Sequence, residues 1–270
     1  MTLAIKPSRR VGMTLSPDHS HGPLNYLEMG RGDAPPVILI HGFGADLLTW
    51  QFCLIPLAAK YRVIAIDLPG HGRTTADVGT ANLAFMTGWL DEALDVLDVP
   101  AGHIIGHSMG AKIALGYTLS HPERVQSLGL ISPAGLGSEF HHDTLDAFLS
   151  HRTPDSATQL AQSLLGPKGQ NLGLGLAKSL LDAASDASRH DALSALLGQA
   201  KAYGLALSPE GFDWSKIRCP VKILWGDHDR LIPMSSHKAM PPVQVVAGAG
   251  HLPHMESPAE VVAALKEFLS

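Results

Sequence analysis

One serine in this sequence stands where its hydroxyl can be made nucleophilic. Gly106-His107-Ser108-Met109-Gly110 follows directly on the apolar run Gly102-His103-Ile104-Ile105 and leads into a helix-like run from Met109 to Ser120. A G-x-S-x-G at a strand-to-helix junction is the pattern of a nucleophile elbow, in which a tight, strained turn pushes the serine oxygen above the sheet. Glycines on either side let the neighbouring backbone pass without a Cβ clash, and Gly110, Ala111 and Ala114 let the helix approach the sheet closely. A serine hydroxyl is a weak nucleophile at neutral pH, so this chemistry needs a base and an acid that orients the base. Asp229 lies just past the run Val221–Trp225, and His251 lies just past Val243–Val246. Both are expected at the carboxyl edge of a sheet, where Ser108 would sit. Asp227 and His254 lie close by as the other candidates for the same two roles.

The elements that must carry these residues follow from hydropathy. Val37-Ile38-Leu39-Ile40 and Arg62-Val63-Ile64-Ala65-Ile66 are continuous apolar runs of the kind buried on both faces of a parallel sheet. Ser127-Leu128-Gly129-Leu130-Ile131 continues the series, and Leu24–Met29 is expected to add an antiparallel edge strand. Leu83, Met86, Leu90, Leu94 and Leu97 recur at helical spacing and stop before Pro100. For the last helix, Ser257 is placed as N-cap, Pro258 as first residue and Glu260 as capping-box partner. The alternation predicts an α/β protein with a mostly parallel, doubly wound sheet. It breaks between Gly135 and Pro209, where only helical pattern occurs. A core of residues 1–134 and 210–270 is therefore expected, with 135–209 inserted after the sixth strand as a helical cap over the ligand-binding edge.

Composition narrows the function further. The chain has 270 residues, a net charge of −5 and 45% hydrophobic residues, which is a globular composition without the basic footprint of a nucleic-acid binder. No stretch approaches the roughly eighteen apolar residues of a membrane span, and the N-terminus lacks the apolar run of a signal peptide. A cytoplasmic protein, monomeric or homodimeric and not bound to membrane, is the expectation. The two cysteines, Cys53 and Cys219, are far apart and read as small hydrophobes. His19-Ser20-His21 begins a metallohydrolase pattern that Gly22-Pro23-Leu24 does not complete, and His141-His142-Asp143 reads as a solvated helix face. No complete dinucleotide or Walker loop occurs. No metal or cofactor is expected.

From about residue 24 onward the chain resembles the α/β-hydrolase-fold serine hydrolases, whose catalytic residues follow the order Ser, Asp, His. The family's Gly-x-x-Asp-x-x-x-Pro pattern maps onto Gly226, Asp229 and Pro233, which favours Asp229 over Asp227 as the acid. The same resemblance favours His251 as the base and leaves His254 as a neighbour of the site or a pocket-wall residue. His41-Gly42-Phe43-Gly44 resembles the family's His-Gly loop, which implies the N–H groups of Phe43 and Met109 as oxyanion donors. Asp67-Leu68-Pro69-Gly70-His71-Gly72-Arg73 resembles another family loop and reads as architecture. Apolar residues near the site loops or in the insertion, Trp50, Leu136, Phe140, Phe148 and Leu252, are candidates for contact with substrate, with packing in the core as the alternative for each.

A nearer likeness is carried by Ile131–Gly137 and His251–Glu256, which are similar to the hydrolase-like domain of acetoin dehydrogenase acyltransferase components. Those proteins carry an N-terminal lipoyl domain, and with so short a stretch before the first strand none is expected here. The likeness thus implies the fold and acyl chemistry, not membership in such a complex. A serine at the elbow disfavours the haloalkane dehalogenase and epoxide hydrolase chemistries of the same fold, which use a carboxylate there. The expected activity is hydrolysis of carboxylic esters with small to medium apolar acyl groups. Two alternatives remain. One is carbon–carbon hydrolysis of a diketone, as in the meta-cleavage product hydrolases, which commonly carry Asn where this chain has His107. The other is a triad-bearing small-molecule receptor.

Overall fold

Each apolar run becomes a strand. The computed structural model describes residues 12–16, 18–136, 141–150, 152–203, 207, 212–234 and 240–270. Its strands are β1 (Gly12–Ser16), β2 (Leu24–Met29), β3 (Pro36–Ile40), β4 (Arg62–Ile66), β5 (Gly102–His107), β6 (Val125–Ile131), β7 (Val221–Gly226) and β8 (Val243–Val246). Among the described residues they form one sheet in the order β1-β2-β4-β3-β5-β6-β7-β8. The strands from β4 to β8 in that order pair parallel, whereas β2 pairs antiparallel with β4. β2 is not the edge that the sequence predicts, because β1 pairs with it on the outside. Gly12-Met13-Thr14-Leu15-Ser16 carries little apolar alternation, so nothing in its pattern announces a strand.

Alternate residues of the central strands serve two separate cores. Ile38, Ile40, Ile64 and Ile66 pack with Trp89 and Leu90 of α2 (Leu83–Val96) and with Ala111 and Ala114 of α3 (Met109–Ser120). Val37, Leu39, Val63 and Ala65 pack on the other face with Leu54 and Leu57 of α1 (Gln51–Ala58) and with Val261 and Leu265 of the last helix, Pro258–Phe268. Apolar burial on both faces is why these strands read as unbroken apolar runs. Because the strands are parallel, every β-to-α loop of the central sheet emerges at the same edge, and that fixes where the chemistry must lie.

Between β6 and β7 come α4 (His142–Ser150), α5 (Pro154–Leu164), α6 (Gly173–Ala184) and α7 (Ala187–Tyr203), with no strand among the described residues there. This segment is stitched to the sheet edge. His141 N–H donates to the Leu231 carbonyl at 2.9 Å, and Lys168 N–H donates to Gly248 at 2.9 Å. After β8, α8 (Pro253–Glu256) runs almost directly into α9 (Pro258–Phe268). Ser257 begins α9, but its side chain makes no capping bond. Its own N–H closes α8 on Pro253, at 2.9 Å, and its hydroxyl has no partner among the described residues. The expected capping box is thus replaced by a helix-to-helix corner.

Helix α3 lies so close to the sheet that a Cβ at Gly110 would overlap the carbonyls of Ile40 and His41. Both obstacles are backbone atoms of a buried strand end, so neither can swing aside. Gly110→Val is therefore expected to destabilise the protein by about 3 kcal/mol or more, read as a lower urea midpoint at unchanged slope.

Candidate active site

Ser108 occupies the turn between β5 and α3 with φ 52° and ψ −117°, a conformation that side-chain-bearing residues rarely adopt. Its backbone is fully engaged. The N–H donates to Ile131 of β6 at 3.0 Å, and the carbonyl accepts from Ala111, Lys112 and Ala134 at 3.0–3.2 Å. Gly106 closes the turn from below, because a Cβ there would strike the Gly110 carbonyl and the Ala111 backbone.

The loop after β7 supplies the carboxylate. Asp229 Oδ1 accepts from the N–H groups of Leu231 at 3.0 Å and Ile232 at 2.9 Å, which fixes the side chain in its own turn. The other oxygen, Oδ2, is left to face His251 Nδ1 at 2.8 Å. This pairing places the proton on Nδ1 and leaves Nε2 as the basic nitrogen. Both side chains are almost wholly buried. Asp227 points elsewhere, accepting from Gly248 N–H at 2.6 Å and contacting His228 on the surface. The His228 hydrogen bond holds its carboxyl below the usual carboxylate range. Ser108 and His251 open on the same cavity of about 360 Å³, lined mainly by apolar side chains including Phe43, Phe148 and Leu252.

The backbone around His251 is clamped by a side chain that carries no motif. Glu256 Oε1 accepts from Gly250 N–H at 2.8 Å and Leu252 N–H at 3.1 Å, the two neighbours of His251. Glu256 Oε2 accepts from Gly166 N–H at 2.7 Å, beyond the end of α5. Burial raises its carboxyl above the usual range against the pull of these three donors. His251 N–H itself donates to the Leu164 carbonyl at 2.7 Å. From the other side, His107 Nε2–H donates to the His251 carbonyl at 2.7 Å. Neither Glu256 nor His107 has a role that its local sequence announces. The only available sign of Glu256 is an acid five positions after the histidine, and its three partners become visible only in the fold.

Two further imidazoles brace the loop that presents Phe43. His41 Nδ1–H donates to the Gly42 carbonyl, and its Nε2 accepts from Leu68 N–H at 3.0 Å. His71 repeats the arrangement, donating to Pro69 and accepting from Gly44 N–H at 3.0 Å. Asp67 completes the brace, accepting from Leu47 and Arg73 N–H and from the Asn25 side chain. The N–H groups of Phe43 and Met109 have no acceptor among the described residues.

The expected apolar contacts divide. Phe148 and Leu252 line the cavity. Trp50 and Leu136 do not: Trp50 is 0% exposed in the core beneath α1, with its ring 4.5 Å from His254, and Leu136 is 1% exposed. Thr49 and Gln51, on either side of Trp50, line the cavity, but the Trp50 and Leu136 side chains turn inward to packing. Phe140 lies outside the described residues. His254 is likewise behind the site rather than on its wall, between Trp50 and His107, with neither ring nitrogen partnered among the described residues.

A serine at a strained elbow and an Asp–His pair, all at the carboxyl edge of a mostly parallel sheet, define the α/β-hydrolase fold. A family model of the alpha/beta hydrolase fold matches residues 35–258, and the chain belongs to that family. It is 34% identical over 253 residues to the dihydrolipoyllysine-residue acetyltransferase component of the acetoin cleaving system of Cupriavidus necator, with 91% of this chain aligned. The chain spans 66% of that relative's length, just under two thirds. It is 28% identical to the 2-hydroxy-6-oxo-6-(2'-aminophenyl)hexa-2,4-dienoic acid hydrolase of Metapseudomonas resinovorans, covering 91% of this chain and 87% of the relative. Among solved structures, a membrane phospholipase A described as a bacterial virulence factor superposes with a TM-score of 0.80 at 28% identity, covering 96% of this chain and 86% of that one. Among the described residues no helix is long and apolar enough to cross a membrane.

Two outcomes test this arrangement. Glu256→Ala removes three charge-assisted bonds and is expected to lower stability by about 3 kcal/mol. It should also broaden or abolish the downfield proton resonance of the His251–Asp229 bond in NMR spectra. The second outcome concerns pH. Burial holds His41 at about 4 and His71 and His254 at about 3, well below the ordinary value near 6.5. Unfolding releases them to take up protons, so their contribution to stability is fully present above about pH 7 and falls as pH drops from about 6.5 toward 3. Each histidine contributes a slope of up to about 1.4 kcal/mol per pH unit. His254→Phe is expected to remove one such share, measured as a flatter dependence of unfolding free energy on pH.

Proposed function

We propose that this protein is a serine hydrolase that cleaves carboxylic esters of small to medium apolar acyl groups, with Ser108 as nucleophile, His251 as base and Asp229 as orienting acid. The observation that carries the reading is the 2.8 Å contact of Asp229 Oδ2 with His251 Nδ1, made beside an apolar cavity that both His251 and Ser108 line. In this reading His251 Nε2 takes the Ser108 proton as Oγ attacks the acyl carbonyl, while Asp229 stabilises the imidazolium that forms. The N–H groups of Phe43 and Met109 bind the developing oxyanion, each worth on the order of 3 kcal/mol of barrier. Collapse releases the alcohol and leaves an acyl-enzyme on Ser108. Water deprotonated by His251 then frees the acid. Helices α4 to α7 serve as the cap that walls the cavity, and the phospholipase likeness supports ester chemistry.

A second reading keeps the same three residues and has them cleave a carbon–carbon bond in a vinylogous diketone. The Metapseudomonas resinovorans relative favours it. A panel of alkyl esters set against such a diketone separates the two by relative kcat/KM. For either substrate, Ser108→Ala is expected to reduce turnover to background, abolish labelling by a fluorophosphonate and leave the melting temperature within a few degrees. Asp229→Asn should lower kcat by about four orders of magnitude through the wrong imidazole tautomer. Retention of most activity by Ser108→Ala would reject the nucleophile assignment.

A further inference from the structure

A second cavity of about 300 Å³ lies on the other side of Ser108, and its walls differ from the first in a way that matters to the chemistry. The two chambers share Phe43, Ser108, Leu145 and Leu231, so the serine sits at their junction. His251 lines only the first chamber. Met109 lines only the second, together with Leu83, Met86, Ile113, Leu196 and Leu197. Helix α7 passes over both, with Leu193 on the first and Leu196 on the second.

We propose that the two chambers divide an ester at its scissile bond, the second holding the acyl chain and the first holding the alcohol, so that the substrates are esters with apolar bulk on both sides. This rests on the Ser108–His251–Asp229 reading above. The tetrahedral carbon carries four groups: Ser108 Oγ, the oxyanion, the acyl carbon and the ester oxygen. The oxyanion is directed to the Phe43 and Met109 N–H groups. The ester oxygen must accept a proton as it departs, and its donor is the His251 imidazolium. Its alkyl group therefore extends into the chamber that His251 lines. The remaining direction, toward the mainly apolar second chamber, which Lys112 also lines, is left to the acyl carbon. In the collapse, an oxyanion lone pair restores the carbonyl, the carbon–oxygen bond breaks with its electron pair on the alcohol oxygen, and that oxygen takes the His251 proton. Both chambers reach the surface, the first at Leu48 and Phe52, which are 46% and 42% exposed, and the second at the exposed Asn82. The alcohol leaves and water enters on the side where His251 activates it, while the acyl chain stays in place.

The test compares methyl octanoate with octyl acetate, molecules that exchange the long chain between the two sides of the bond. Met86→Trp, which fills the second chamber, is expected to lower kcat/KM for methyl octanoate at least tenfold relative to octyl acetate. Ser179→Trp, on an exposed wall position of the first chamber, is expected to move the ratio the other way. Should Met86→Trp fail to fold, Met86→Ala widens the same chamber and is expected to shift the ratio toward methyl octanoate. An inverted ratio, or an equal effect of each variant on both esters, overturns the division while leaving the nucleophile assignment intact. Absence of both hydrolysis and fluorophosphonate labelling in the wild type overturns the underlying reading and the division with it. Labelling of Ser108 without turnover of either ester moves the decision to the adduct of a fluorophosphonate bearing an octyl chain and a methoxy group. Its crystal structure is expected to show the octyl chain between Met86 and Leu197, and an octyl chain against His251 overturns the division.

Discussion

A residue with a side chain at φ 52° and ψ −117° costs on the order of 1–3 kcal/mol and persists only where its surroundings over-determine it. At Ser108 they do. Its N–H is held by β6, its carbonyl takes three donors from α3 and from the loop after β6, and the glycines at 106 and 110 allow the backbone to approach within distances that a Cβ would forbid. The serine's position is thus a property of the adjacent strands β5 and β6 and of the helix pressed against them, not of the five-residue turn alone. Everything else at the site is arranged around a point that the sheet has already fixed.

The surrounding loops are held to that point by neutral imidazoles. A neutral ring has one donor and one acceptor nitrogen set rigidly apart, which suits it to join a carbonyl of one loop to an N–H of the next. His41 and His71 each do this between the segments at 41–44 and 67–71. His107 has the opposite tautomer, donating from Nε2 to the His251 carbonyl. Burial keeps all three uncharged by lowering their affinity for protons. A second proton would turn the acceptor nitrogen of His41 and His71 into a donor facing a donor. The abundance of histidine in this chain is therefore put to structural use in at least three places, which also explains why a count of histidines is a poor guide to metal binding.

The parts of this arrangement that could be read in the sequence are those where a local pattern has a local cause. Strands β3 and β4 read as continuous apolar runs because both their faces are covered, and the elbow reads from its glycines because the turn needs them locally. Asp229 and His251 were legible through their positions after strands, with the choice against Asp227 and His254 resting on resemblance. Where a role depends on what the fold brings together, the pattern carries no trace. Glu256 looks like an ordinary acid in a short helix, yet its partners are at 166, 250 and 252. Trp50 is a candidate in the sequence because it lies near a predicted site loop; the fold turns Thr49 and Gln51 to the cavity and the Trp50 ring into the core. Ser257 failed as a cap because a preceding helix, α8, had already claimed its backbone.

The bonds around His251 also constrain how the helical roof is able to move. His251 N–H is bound to the carbonyl of Leu164, the last residue of α5, and Glu256 bonds at once to Gly166 and to both neighbours of His251. Rotating α5 as a rigid body about a hinge at 164–166 would strain the backbone that carries His251. An opening that keeps the Asp229–His251 contact intact must leave 164–168 attached to the sheet edge and displace the helices further along the chain. Helices α6 and α7 meet that condition, and they supply Leu176, Ser179, Leu180 and Leu193 to the wall of the first chamber. The end of the insertion at 164–168 is thus tied to the Asp229–His251 pair, whereas α6 and α7 are tied to the cavity wall.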